Sequence, residues 1–139
     1  MKTFEELYCY QKAVEIRIKV SRLVKRFPSE EKYRLVDQMI RASRSAPAQI
    51  AEGYGRYHYQ ENVQYCRQGR GSLYELIDHL IAAREENYIN DDELAALKAE
   101  VLECIATLNG YINYLVKAKA DSGKVEEPIS MYSETPIND

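Results

Sequence analysis

The densest polar chemistry in the chain lies between Gln38 and Gln60, where Arg41, Arg44 and Arg56 stand close together with Tyr54, Tyr57 and Tyr59 interleaved. A guanidinium takes phosphate and an aromatic ring takes an unstacked base, so this pairing of residue types suits single-stranded or looped RNA. Arginine and tyrosine are also enriched at protein interfaces. Glu52 and Glu75 are carboxylates that Arg41 and Arg44 would meet in a packed bundle. Two destinations for the arginines therefore stay open: phosphate, or carboxylates and a partner surface. The chain holds 12 tyrosines and only 2 phenylalanines, so many rings must keep a hydroxyl wet or bonded.

Other chemistries fail on spacing. A carboxylate-bridged di-iron centre in a helical bundle needs Glu-x-x-His on two helices. The two histidines, His58 and His79, have Gly55 and Leu76 three residues before them. Cys9, Cys66 and Cys104 are far apart and form no Cys-x-x-Cys, so neither zinc nor a disulfide framework is expected. Gly69 to Ser72 reads GRGS, but it lacks the Gly-Lys-Ser/Thr ending and a preceding strand of a phosphate loop. Ser45, Ser72 and His79 have no nucleophile elbow around them. No catalytic residue, metal, cofactor or small-molecule substrate is expected.

The elements that position these residues are helical throughout. Ala13, Ile16, Val20, Leu23 and Phe27 recur at steps of three and four, and Pro28 ends this first helix. Ser29 with Glu30 and Glu31 predicts the N-terminus of a second helix running to Ala51, with Leu35, Met39, Ala42, Ala46 and Ile50 inward. Pro47 predicts a kink, with a stop as the competing reading. Gly53 and Gly55 would end that helix and make the turn. A third helix from Tyr59 to Asn87 carries Val63, Cys66, Leu73, Leu76, Leu80 and Ala83. Gly69 and Gly71 interrupt it, which predicts a facing helix close by. A fourth helix opens at Asn90 or Asp91 and carries Leu94, Leu97, Val101, Ile105, Leu108, Ile112 and Leu115. The fold class is all-α, an up-down-up-down four-helix bundle over residues 1–118. Residues 119–139 read as a disordered acidic C-terminal tail.

With 139 residues, 45% of them hydrophobic and 29% charged, the composition is that of one globular domain. No apolar stretch is long enough to span a membrane, and the N-terminus carries acids where a signal peptide needs an apolar run, so a cytoplasmic location is expected. The formal charge of −3 is unevenly spread. Residues 1–58 carry 12 basic and 7 acidic residues, residues 59–118 carry 5 and 10, and residues 119–139 carry 2 and 5. Either the first half builds a basic face or the halves neutralise each other when packed.

Four stretches resemble the proteins encoded within bacterial 23S ribosomal RNA intervening sequences: FEELYCYQKA at 4–13, FPSEEKYRLVDQMIRAS at 27–43, SAPAQIAEGYGR at 45–56 and RGSLYEL at 70–76. The third resembles the family's Ser-x-Pro-x-Asn-Ile-Ala-Glu-Gly pattern and the fourth its Arg-Gly-Ser-x-x-Glu pattern. The chain departs from the family at Gln49, where Asn is usual, at Ala46, where a larger aliphatic is common, and at Tyr10, where Trp is common. The resemblance implies a four-helix bundle closed into a homopentamer, without established enzymatic activity. It also implies kinship in fold with an accessory protein of diversity-generating retroelements, which associates with a reverse transcriptase and nucleic acid.

The expected function is a non-enzymatic homo-oligomer that binds RNA or a nucleoprotein such as a reverse transcriptase. A protein-only scaffold is the alternative. Arg41, Arg44, Arg56 and Tyr54 are the expected nucleic-acid contacts. Ser45, Pro47, Gln49, Glu52, Gly53, Arg70, Gly71, Ser72 and Glu75 are the expected structural or interface residues. Glu52 or Glu75 is expected to pair with Arg41, Arg44 or Arg70, within one chain or across the ring.

Overall fold

A computed structural model describes residues 3–122. Four helices make the bundle: α1 Tyr8–Leu23, α2 Leu35–Gly55, α3 Tyr59–Glu85 and α4 Asp91–Asp121. Helix α1 packs on α2 and α4, and α3 packs on the same two, so α1 and α3 occupy diagonal corners. Short connections between successive helices give the up-down-up-down arrangement.

The helical periodicity set the core. Ala13, Ile16, Val20 and Leu23 of α1, Met39, Ala42, Ala46 and Ile50 of α2, all six expected positions of α3, and Leu97 through Leu115 of the α4 stripe are buried in one cluster. Leu35 and Leu94, at the helix starts, are only partly covered. The three cysteines are buried free thiols. Burial pushes Cys66 and Cys104 up to about 12, so they stay protonated.

Helix boundaries depart from the sequence reading at three places. Helix α2 begins at Leu35, not near Glu30. Ser29 opens only a short 3-10 turn, Ser29–Glu31, and Pro28 before it makes no side-chain cap. The Glu31 carboxylate accepts from the Leu35 amide at 3.4 Å and from the Tyr88 hydroxyl at 2.7 Å. It caps α2 and ties it to the loop before α4. The glycines do not make the α2–α3 turn. Helix α2 runs through Pro47 and on to Gly55, and no described glycine has a positive φ. Tyr57, at φ 59, makes the left-handed turn instead. Helix α4 extends to Asp121, into the stretch read as tail. The remainder of that stretch, 123–139, lies outside the described residues.

The α4 start agrees with expectation. Asn90 accepts from the Glu93 amide at 2.8 Å, and the Glu93 carboxylate accepts from the Asn90 amide at 3.0 Å, a full capping box.

Candidate functional site

The segment singled out by its chemistry lies along α2, with its small and apolar residues inward and its charged residues outward. Arg41 is exposed and, among the described residues, pairs only with Asp37, one turn earlier on the same helix, at 3.8 Å. An exposed i,i+4 pair at that distance is worth a few tenths of a kcal/mol, about 0.3–0.5 at most, and yields readily to another anion. Arg44 is exposed and has no ion pair among the described residues. Arg34, the N-cap residue just before α2, is exposed too.

Arg56 and Tyr54 do not join these arginines. Arg56 is held by its own neighbourhood: Nε lies 3.1 Å from Glu52, Nη2 donates to the Tyr65 hydroxyl at 2.7 Å, and the guanidinium sits over the Tyr65 ring. Tyr54 is half-buried, edge-on to Phe4 with centroids 6.2 Å apart. The ring that does stand in solvent at this end is Tyr57, 84% exposed. Its left-handed backbone, unusual for a tyrosine, turns it out of the bundle.

The expected ties between Glu52 or Glu75 and Arg41, Arg44 or Arg70 are absent among the described residues. Glu52 pairs along α2 with Arg56, and Glu75 pairs along α3 with His79 at 3.0 Å. Arg41 and Arg44 stand exposed, and Arg70 points to the α4 side, where Nη1 donates to Asn109 at 2.8 Å. The α2–α3 seam is made by smaller groups. Ser72 donates to the Ser45 hydroxyl at 2.9 Å. Gly69 lies so close to α2 that a Cβ would stand 3.3 Å from the Ala46 carbonyl and 3.4 Å from the Gln49 Cβ. A facing helix explains Gly69, as expected. It does not explain Gly71, whose missing Cβ has nothing within 4 Å among the described residues.

Gly53 has a different reason to be glycine. A Cβ there would come 2.6 Å from the Asn62 side-chain oxygen and 3.1 Å from the Asn62 carbonyl. Asn62 is buried, donates to the buried Tyr111 hydroxyl at 3.0 Å and accepts from the Cys66 thiol at 3.4 Å. Burial raises the Tyr111 pKa well above the phenol's ordinary value. This polar knot joins α2, α3 and α4 at the base of the bundle. The sequence reading missed Asn62 and Tyr111; a buried asparagine one turn into α3 looks like any polar helix residue until its neighbours are known.

The charge asymmetry cancels across α1 and α4. Lys12 pairs with Glu103 at 3.0 Å, Lys19 with Glu100, and Arg26 with Glu93. The Glu103 bond raises the Lys12 pKa to about 12. These pairs consume cations of the basic first half, so the halves do neutralise each other along this seam. Arg34, Arg41 and Arg44 are left apart from it.

The sequence profile of the 23S rRNA-intervening sequence protein family matches residues 5–110. The chain belongs to that family. The match covers α1, α2, α3 and most of α4, including Arg34, Arg41, Arg44 and the Gly53–Asn62 contact. Comparison with curated proteins returned no match. Among the described residues of this family member, no group of three or more His, Cys, Asp or Glu is placed to hold a metal ion. No helix among them is long and apolar enough to cross a membrane.

Proposed function

We propose that this protein is a non-enzymatic, homo-oligomeric helical bundle that presents the exposed arginines of α2 and its N-cap to RNA or to a nucleoprotein. The resemblance supports five subunits. Arg34, Arg41 and Arg44 are the phosphate contacts, with Tyr57 as a ring free to stack on a base. Arg56 and Tyr54 serve the fold. The observation that carries this reading is that Arg44 has no ion pair among the described residues and Arg41 only a loose one, whereas Lys12, Lys19 and Arg26 are held by α4 carboxylates. Repetition of one modest patch around an oligomer raises the local field and the avidity.

Filter binding of single-stranded RNA at about 50 mM salt tests it. Retention should fall with salt at a log–log slope near −0.7 per phosphate contacted. Changing Arg34, Arg41 and Arg44 to Gln should weaken binding and flatten that slope, while Arg56→Gln should leave both nearly unchanged. No retention at all would leave a protein-only scaffold. That second reading is favoured by the exposed apolar side chains of Tyr74, Ile81, Leu102 and Val116 on α3 and α4.

A further inference from the structure

Gly71, like Gly55 at the end of α2, meets no neighbour among the described residues that would require glycine. It sits in the interior of a 27-residue helix, where glycine weakens the helix relative to alanine, and its outward side meets open space. Nothing among the described residues of its own chain needs the close approach that glycine allows. Its row on α3 continues through Tyr74, Asp78, Ile81 and Glu85, at alternating steps of three and four. All five are exposed, Tyr74 by 53% and Ile81 by 37%. Asp78 and Glu85 make no ion pair among the described residues. The row is thus an acidic edge around two apolar side chains and a gap.

The diagonal helix shows the complementary pattern. On α1 and the turn after it, Ile18 is 43% exposed, and Arg22 and Lys25 stand exposed beside it. Neither cation has an ion-pair partner among the described residues. Arg22, three residues after Lys19, borders the row of Lys12, Lys19 and Arg26 that meets α4, and Lys25 lies farther round.

We infer that the outer face of α3 is the docking surface for the outer face of α1 in a second copy of this chain. The occupant follows from charge and shape. Asp78 and Glu85 oppose Arg22 and Lys25, Ile18 meets Tyr74 and Ile81, and Gly71 lets the neighbouring helix come close. Because α1 and α3 occupy diagonal corners, the two faces point away from each other. Each subunit then offers one face to the copy ahead and the other to the copy behind, which is a heterologous contact that closes into a ring when the rotation permits. This inference rests on the homo-oligomeric part of the proposed function and names the surfaces that build it.

Charge reversal separates the inference from the reading it rests on. Three variants of the full chain are compared with the wild type by light scattering coupled to size exclusion: Asp78→Lys with Glu85→Lys, Arg22→Glu with Lys25→Glu, and all four changes together. Each single-face variant should lose the assembly mass and run near 16.1 kDa, with association weakened roughly a hundredfold or more by like charges. Far-UV circular dichroism should stay native, since all four side chains are exposed. The four-change variant should recover the mass, because its faces are complementary again. Gly71→Trp should also dissociate the assembly without unfolding the chain. A wild-type assembly that survives both single-face reversals and Gly71→Trp would overturn the α3–α1 contact and leave oligomerisation standing. A wild type that is monomeric throughout would overturn both.

Discussion

Replacing Gly53 with alanine should destabilise the bundle, while the same replacement at Gly71 should stabilise the isolated chain. Both residues lie in helices, so both substitutions gain up to about 1 kcal/mol of helix propensity. At Gly71 nothing opposes that gain, because the new methyl meets no atom of the described residues within 4 Å. At Gly53 the methyl would stand 2.6 Å from the Asn62 side-chain oxygen and 3.1 Å from its backbone carbonyl. The backbone contact cannot be relieved by a rotamer change. Moving the side chain breaks its bonds to Tyr111 and Cys66 inside the core. A buried polar group left unpaired costs about 1–3 kcal/mol, and forced overpacking adds about 1–3 kcal/mol. The net expectation is a loss of roughly 2 kcal/mol at Gly53 against a gain of about 1 kcal/mol at Gly71. Urea unfolding followed by circular dichroism, at a protein concentration low enough to keep the chain dissociated, reads both directly. Equal midpoints for the two variants would refute the reasoning, because they would mean that the Asn62 contact does not constrain α2.

Three further outcomes follow from the same contacts. Tyr111→Phe should cost about 1–3 kcal/mol in urea unfolding, and adding Asn62→Leu should cost less than the two single effects summed, since neither member of the Asn62–Tyr111 pair is then left without the other. Arg26 and the Asn90 amide hold the Glu93 carboxyl below its ordinary pKa, and Arg84 does the same for Asp91. These depressed values make a contribution that is present above the unfolded carboxylate range and lost as pH falls through the folded values. The thermal midpoint should therefore drop as pH falls from about 5 to 3, and less steeply in a Glu93→Gln, Asp91→Asn variant. Finally, Cys9, Cys66 and Cys104 should resist a thiol reagent in the native protein and react on unfolding, as burial keeps all three protonated.

The fold was legible because helix periodicity is local. Ala13, Ile16, Val20 and Leu23 are buried as their spacing required, and Pro47 passes within α2. Gly69 was legible for the same reason, as a glycine facing a small-residue stripe. What was not legible depended on register between helices. Glu31 accepts from the Leu35 amide at the start of α2 and also reaches Tyr88, 57 residues away. Gly53 looked like a turn residue, and only the position of Asn62 shows why it is glycine. The arginines of α2 shared a segment with Arg56 and Tyr54, but the helix turn divides them. Arg41 and Arg44 face outward, and Tyr65 and Phe4 hold the other two. Charge counts along the chain could not tell which cations α4 would neutralise, because that pairing is set by the α1–α4 register.

The central claim, that this family member works as an assembly of copies of itself, is tested most directly by the mass of the wild-type full chain in solution. Sedimentation equilibrium at micromolar concentration should give a single species at a multiple of 16.1 kDa, fivefold by the family resemblance, dissociating as salt is raised against the charged rims. A species at 16.1 kDa across the whole concentration range would contradict it.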